Sequence, residues 1–417
     1  MFFAINSNCQ NSNGVKILEI NKFNYLRRGA EKHYLDVVAL LKAKGHEVAV
    51  FSMDNPKNDF SPWKKYFVSY AGFEKNDPWQ KKLKGLFRIY SFEAKRKIAK
   101  MLDDFQPDVA HIHNIYHHIS PSILSEIKKR KIPIAMTIHD YNLICPNYSL
   151  VTNGKNWEDL KENKLINFVR YKYFKNSYIQ SFLVYVEYAF YKFFKFYEKA
   201  IDLYISPSEF TKEKLITGGI SAEKIKVIPH FTNTDYTGAT CDLKNRTKYV
   251  FCFGSISKDK GSDKLINIFK NLPDINLYLA GEVENNFTIP KEKNIKLLGF
   301  LNRKKIKKYI QNSLFVVSSS QLPETFGLIA LEAIANGKPV ICFNAGAGSE
   351  IIEDNKSGFI CKNHQDMSEK INKLANDEGL RILFSRNALE RAKDFNSDKY
   401  YDKIMEIFKK LIIDKRG

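Results

Sequence analysis

The sequence predicts an α/β protein built from two doubly wound, Rossmann-like parallel sheets. Three observations carry that prediction. The chain has 417 residues, which at about 150 residues per domain supplies two or three cores. Short apolar segments alternate with amphipathic helical ones along most of its length. A polar, aperiodic stretch, residues 232–248, separates two such series. The 44% hydrophobic and 27% charged residues suit a globular chain and exclude disorder, collagen and a disulfide-stapled miniprotein.

Met1–Gly14 is rich in Asn and Ser, lacks periodicity and reads as a disordered N-terminal extension. The hypothesis that translation starts at Val15 would be sunk by recovering Met1–Gly14 from native protein by mass spectrometry. Val15–Ile20 is the first strand, Ala30–Lys44 the first helix, with Tyr34, Leu35, Val38 and Leu41 on one face, and Gly45 its stop. Val48–Phe51 completes a βαβ unit, which requires a right-handed parallel crossover. Further strands are expected at Tyr66–Ala71, Val109–His113, Ile134–His139, Leu203–Ser206 and Lys226–Pro229. The second series comprises Tyr249–Phe253, Ile275–Gly281, Ile295–Phe300, Leu314–Ser318 and Pro339–Phe343. The boundaries that follow are a first domain over 15–231, a linker over 232–248 and a second domain over 249–395. Residues 396–417 form a terminal helix capped by Ser397, with a stripe of Tyr401, Ile404, Met405, Phe408, Leu411 and Ile412. That helix is either the second domain's last layer or a segment crossing back to the first.

Six cysteines (Cys9, Cys145, Cys241, Cys252, Cys342, Cys361) form no C-x-x-C, so neither a zinc ribbon nor a redox dithiol is readable, and a reducing compartment is expected. No apolar run reaches the roughly 18 residues of a membrane span. Met1–Ile5 lacks a basic flank and a cleavage site. A cytoplasmic protein is the expectation. Its 66 Lys and Arg against 46 Asp and Glu give a net charge of +20, which should attract an anionic partner.

In open α/β sheets, ligands bind in the loops at the carboxyl ends of strands. The sharpest such loop is Pro323-Glu324-Thr-Phe-Gly-Leu-Ile-Ala-Leu-Glu332, which opens a helix over Gly327–Asn336. Its two glutamates would stand roughly 12 Å apart on a helix, beyond the ~5–9.5 Å of glycosidase carboxylate pairs. They suit opposite ends of one extended, hydroxyl-rich ligand. Alternatively, Glu324 only complements a helix dipole and Glu332 is a plain exposed acid. The Gly254–Gly261 loop, with Ser255 and Lys260, is either a phosphate cradle or a solvated turn, and it is not a P-loop. His139 ends a strand as a site residue or a structural hydrogen bonder. His111, His113, His117 and His118 lack a carboxylate or Cys partner in the sequence reading, so no metal site is expected. There is no Asp-x-Asp pair and no G-x-S-x-G, which disfavours a carboxylate-bound Mg²⁺ on a diphosphate and hydrolase chemistry alike.

Taken in order, Arg28-Gly29-Ala-Glu31, His139-Asp140-Tyr-Asn-Leu-Ile-Cys-Pro146, Ile205-Ser-Pro-Ser208, Val227-Ile-Pro229, Lys260-Gly261, the Glu324/Glu332 motif and Gly346-Ala-Gly-Ser-Glu350 resemble a retaining family-4 glycosyltransferase of the GT-B fold. The resemblance runs from about Val15 to the C-terminus. It implies two Rossmann-like domains facing a cleft, with a nucleotide-sugar donor on the second and an acceptor on the first. It implies that Glu324 grips the donor sugar, Glu332 the ribose, and Lys260 the diphosphate beside Gly254 and Ser255. Phe326, Gly327 and Leu328 would offer backbone amides, His139 would approach the reacting carbon, and Gly29 would let the first domain's loop near the phosphates. No cofactor or metal is implied. The chain departs from the family pattern in three ways. Ser255 stands where an Arg is usual, Arg28 where a first glycine is common, and Val151–Lys164 lacks a cysteine cluster, which makes Cys145 a packing residue.

Two stretches account for much of the positive charge. Lys81–Lys100 holds eight basic residues and one acid, and Phe168–Tyr197 holds 14 of the chain's 56 aromatics, interleaved with Arg170, Lys172, Lys175, Lys192 and Lys195. Basic-aromatic helices bind anionic bilayers; the alternative is that the rings pack inward while the lysines face water. No RNA-binding signature accompanies them, so nucleic acid is not expected. The combined reading is a glycosyltransferase peripheral to the inner membrane face, acting on a lipid-linked or polysaccharide acceptor. The alternatives are a nucleotide-sugar-binding protein without turnover and a GT-B sugar-nucleotide epimerase.

Overall fold

The computed structural model describes residues 14–70, 89–152, 155–159, 164–232, 248–284 and 287–416. The N-terminal extension up to residue 13, the first part of the basic stretch (81–88) and the linker over 233–247 lie outside the described residues. The strands in chain order are β1 (Lys16–Ile20), β2 (Glu47–Phe51), β3 (Val109–Ile112), β4 (Ile134–Thr137), β5 (Val151–Thr152), β6 (Lys155–Asn156), β7 (Leu203–Ser206), β8 (Ile225–Val227), β9 (Tyr249–Phe253), β10 (Asn276–Ala280), β11 (Ile295–Leu297), β12 (Val316–Ser318), β13 (Val340–Phe343) and β14 (Gly358–Cys361). They form two six-stranded sheets, ordered β2-β1-β3-β4-β7-β8 and β11-β10-β9-β12-β13-β14, and a small β5-β6 ribbon. Two doubly wound sheets are the predicted fold class.

Strands buried on both faces read as continuous apolar runs, and β9 shows why. Val250 packs into one core with Leu277, Leu279, Phe315 and Ile341. Tyr249, Phe251 and Phe253 point to the other face, against Val316, Leu331 and Val340. The alternation of period two therefore serves two cores. In the second sheet the chain order reverses between β9 and β12, where an open α/β sheet leaves its ligand crevice. In the first sheet the reversal falls between β1 and β3, and the helix Gly29–Ala43 follows β1.

Contact density divides the chain into two units, Met1–Thr137 with Phe196–Leu203 and Glu406–Gly417, and Ile138–Lys195 with Tyr204–Met405. The final helix, Ser397–Arg416, is split by that partition.

Three expectations change. The described part of Tyr66–Ala71, up to Tyr70, is no strand: Lys64–Tyr66 makes a 3-10 turn, and Val68 only bridges Met53. Asn396, not Ser397, caps the final helix, because its carboxamide oxygen accepts the Lys399 amide at 2.7 Å. Its buried stripe accordingly starts at Tyr400 rather than Tyr401. The sixth strand of the second sheet, β14, was not foreseen. It opens on Gly358, where a Cβ would stand 2.0 Å from the Val340 carbonyl oxygen.

Candidate functional site

Two loops flank the reversal point of the second sheet. The first leaves β9 at Gly254 (φ 123°) and reaches the helix Ser262–Lys270 through Gly261 (φ 70°). A Cβ at Gly261 would sit 2.4 Å from the Ser319 carbonyl oxygen, so only glycine lets this loop lie against the next. Ser319 also donates its hydroxyl to the Lys260 carbonyl at 2.8 Å. Several of its amides are spent on the protein. Gly254 donates to Ala280, Gly261 to Lys258 and Ser262 to Ser257, while Lys260 donates to the Ser257 hydroxyl. It also carries two lysines, exposed Lys258 and half-buried Lys260. Ser255 is exposed, with nothing bonded to its hydroxyl among the described residues.

The second loop follows β12 and ends at Gly327 (φ 95°), the N-terminal cap of the helix Leu328–Ala335. It rests on the Gly346–Glu350 turn. Ala347 donates to the Glu324 carbonyl at 2.9 Å, and a Cβ on Gly346 (φ 68°) would fall 2.3 Å from the Glu324 nitrogen. The amides of Phe326, Gly327 and Leu328 have no intramolecular acceptor among the described contacts. Free amides at a helix start, aided by its dipole, form an anion site. The glutamate loop thus adds backbone donors to the cradle expected from the glycines of the lysine loop.

The two loops meet in an ion pair, Lys260 Nζ to Glu324 Oε1 at 2.7 Å, with the side chains 35% and 23% exposed. Sixty-four residues apart in sequence, they are held together by the sheet. His139 is brought to the same place by its backbone: its carbonyl accepts the Thr325 hydroxyl at 3.1 Å. Its ring lies 5.4 Å from that of His230, which in turn lies 4.8 Å from the ring of buried Phe326. Glu332 sits half-buried one turn into the helix. Gly29 starts its helix in the other unit, behind Arg28, whose amide is accepted by Glu31.

The sequence reading missed Thr325. Its carbonyl accepts hydroxyl hydrogen bonds from Ser208 at 2.7 Å and Thr211 at 2.9 Å, so it is fixed on both sides between Glu324 and Phe326. Glu350 was noted as part of a motif without a role. Its carboxylate accepts the amides of Glu209 and Phe210 and so caps the helix Glu209–Thr217. Ser208, followed by Thr211, was the readable sign of that helix start.

Away from this site, Glu19 joins His111 and His113, a carboxylate the sequence reading did not find. Its oxygens stand 2.9 Å from His111 Nδ1 and 3.0 Å from His113 Nε2, and His111 Nε2 reaches Thr137 at 2.7 Å. The ligand atoms lie within 4.8 Å of one another, a spacing that could hold a metal, yet both carboxylate oxygens are already satisfied by imidazoles. Burial alone would raise the Glu19 carboxyl, but the two histidines hold it down to about 2. Burial, then the neighbouring His111, push His113 down to about 4. Cys145 is a buried packing residue that donates to Asn147 Oδ1 at 2.8 Å, its thiol pushed up to about 12 by burial.

Residues 27–236 match the model of Glycosyltransferase Family 4, and residues 241–391 that of Glycosyl transferases group 1. The chain is 23% identical over 355 residues to an uncharacterised 42.6 kDa protein in the cps region of Klebsiella pneumoniae, covering 81% of this chain and 87% of that one. It is 26% identical over 391 residues to the alpha-monoglucosyldiacylglycerol synthase of Acholeplasma laidlawii, covering 86% and 88%. Among solved structures, Anabaena HepE in complex with UDP superposes with a TM-score of 0.64 at 18% identity, over 95% of this chain and 100% of that one.

Proposed function

Because the chain belongs to glycosyltransferase family 4, with a group 1 glycosyl transferase region in its second half, we propose that it is a retaining, metal-independent hexosyltransferase acting from a nucleotide-sugar. The observation that carries this reading is the convergence at the β9/β12 reversal point of one cation, one carboxylate and three unused amides. Breaking a sugar–phosphate bond builds positive character on the sugar and negative charge on the departing diphosphate. Lys260 and the amides of Phe326, Gly327 and Leu328 would meet that charge where it develops, each such donor contributing on the order of 3 kcal/mol. Glu324 would orient the sugar through its hydroxyls and Glu332 would hold the ribose. His139 would lie along the sugar, and Gly254 and Ser255 would line the phosphates. The departing phosphate would take the proton of the incoming hydroxyl on the same face, which requires no protein nucleophile.

The acceptor proposed is a lipid-linked or polysaccharide glycan of the cell surface, reached at the inner membrane face. The relative named for a cps region and the relative named for glucosyl-diacylglycerol synthesis support it. A second reading, nucleotide-sugar binding without turnover, is favoured by Ser255, which stands where the family usually has an arginine. Thermal unfolding with UDP-, GDP- and ADP-sugars tests donor binding. A ligand at about 100 times its Kd stabilises by roughly 2.7 kcal/mol, and Glu324→Ala should reduce the shift. Acceptor-dependent release of nucleotide then decides between the readings, since a shift without release supports the non-catalytic one. Product formed without any acceptor would instead indicate epimerisation of the donor.

A further inference from the structure

The helix Tyr178–Phe194 is amphipathic in the wrong direction. A surface helix normally turns polar residues to water. Here Ile179, Phe182, Val186, Ala189 and Phe193, spaced by three or four, form an exposed apolar stripe beside exposed Tyr178, Gln180 and Phe194. Ile179 is 73% exposed and Phe193 80%. The opposite face carries the hydroxyls. Ser181 is fully buried, Tyr188 donates to the Ile144 carbonyl at 3.2 Å, and Tyr185 packs edge-on to Trp157. The neighbouring helix Lys164–Arg170 adds exposed Ile166, and its Phe168 anchors the two helices through Tyr173 and Tyr185. The two alternatives for this aromatic stretch thus apply to different residues: Phe168, Tyr173, Phe174 and Tyr191 pack inward, while Ile179, Phe182 and Phe193 are left in water.

Charge says what covers them. Residues 164–195 carry Lys164, Arg170, Lys172, Lys175, Lys192 and Lys195 against one acid, Glu187, whose carboxylate accepts the Tyr191 hydroxyl at 2.9 Å. Lys164, Lys172 and Lys175 lie over the rings of Trp157, Tyr178 and Phe174 at 4.6–5.6 Å, with apolar stems along the rings and charged ends at the rim. An apolar stripe with a cationic rim matches the interface of an anionic bilayer. It mismatches a second copy of itself, because two such rims would repel. Seventeen residues, about 25 Å of helix, lie along the surface, and among the described residues no helix is long and apolar enough to cross.

We propose that the helices Lys164–Arg170 and Tyr178–Phe194 are a monotopic membrane-docking element that inserts Ile166, Ile179, Phe182 and Phe193 into an anionic leaflet. This deepens the acceptor side of the function proposed above, but the element needs no turnover to work, so its test stands apart. The full chain is sedimented with vesicles of equal parts phosphatidylglycerol and phosphatidylcholine, and with phosphatidylcholine alone. It should pellet with the first and not the second. The variant combining Ile179→Ser, Phe182→Ser and Phe193→Ser should bind at least about tenfold more weakly, since each apolar side chain withdrawn from water carries a factor of that order. Its thermal shift with donor should be unchanged, which separates failure here from failure of the donor site. In Phe182→Trp, which keeps the patch apolar, indole emission should move to shorter wavelength on vesicle addition. Absence of pelleting, equal binding by the triple variant, an unmoved indole spectrum, or a lipid-free dimer that the triple variant dissolves would each overturn the proposal.

Discussion

The ion pair between Lys260 and Glu324 makes a prediction whose sign depends on the ligand. In the structure the lysine is occupied by the glutamate at 2.7 Å, and a diphosphate must displace that carboxylate to reach it. With side chains 35% and 23% exposed, the pair belongs with partly solvated ion pairs, worth about 0.2–1 kcal/mol rather than the large values of a dry interior. The variant Glu324→Gln removes the competing charge while preserving shape. A nucleoside diphosphate, which has no sugar for residue 324 to hold, should then bind more tightly, by about 1.4–5-fold. The matching nucleotide-sugar should bind more weakly, because a hydrogen bond to a charged acceptor is worth about 1.5–3 kcal/mol, or roughly ten- to a hundredfold before the small gain is subtracted. Isothermal titration of wild type and Glu324→Gln with both ligands measures all four affinities. Unfolding free energy should change by about 1 kcal/mol or less. A variant that loses affinity equally for both ligands, or gains it for both, would refute the idea that Lys260 serves the phosphates and Glu324 the sugar.

Gly346→Ala should act on Glu324 at second hand. Its φ of 68° and a Cβ placed 2.3 Å from the Glu324 nitrogen force the glutamate loop to move, costing about 1–3 kcal/mol by chemical denaturation and abolishing the donor-induced thermal shift. Thr325→Val keeps the carbonyl that accepts from Ser208 and Thr211 but removes the hydroxyl bound to His139. Turnover should fall about tenfold with KM for donor little changed, and loss of KM alone would contradict a positioning role. Acid should destabilise the fold through Glu19 and His113, both of whose pKa values are lowered. His113 resists protonation in the native state, so stability begins to fall as pH drops below its unfolded value near 6.5 and continues to fall to about 4. Glu19 adds a loss between about 4.5 and 2. For His113 the difference of about 2.5 units is on the order of 3 kcal/mol, visible in guanidinium unfolding at pH 7 and 4. His113→Gln should flatten that slope, and an unchanged slope would show that other groups set it.

The fold was legible because glycines and apolar runs punctuate it locally. Gly45, Gly254, Gly261 and Gly327 stand at positive φ where the sequence reading placed the boundary of a helix or a loop. What joins distant segments left no local trace. Lys260 and Glu324 were each picked out, but nothing in the sequence says that they pair. Glu19 sits inside an apolar strand, and only the register of β1 against β3, with Glu19 opposite His111, gives it partners. Thr325 escaped notice for a different reason. Its work is done by a hydroxyl and a carbonyl, and a threonine between Glu324 and Phe326 looks like any loop residue. In Tyr178–Phe194 the composition was informative but the faces were not, because aromatic residues occupy both sides and blur the helical period that normally separates core from surface.

The two loops at the reversal point divide the handling of charge in a way that follows from their backbones. The lysine loop closes on itself: Lys260, Gly261 and Ser262 spend their amides within it, and Ser319 pins the Lys260 carbonyl. A loop so tied is held in place and offers a ligand its lysine side chains. The glutamate loop is tied through its carbonyls instead, at Glu324 by Ala347 and at Thr325 by Ser208 and Thr211. Bonding the carbonyls from behind turns the amides of Phe326, Gly327 and Leu328 outward, where they are already oriented before any anion arrives. Preoriented dipoles cost no reorganisation as charge develops, whereas a flexible lysine must first leave its carboxylate partner. The fixed amides therefore suit the growth of negative charge during bond breaking, and Lys260 suits the capture and release of the diphosphate. Under the function proposed above, with Ser255 where an arginine is usual, the fixed amides would carry the larger share of the developing charge.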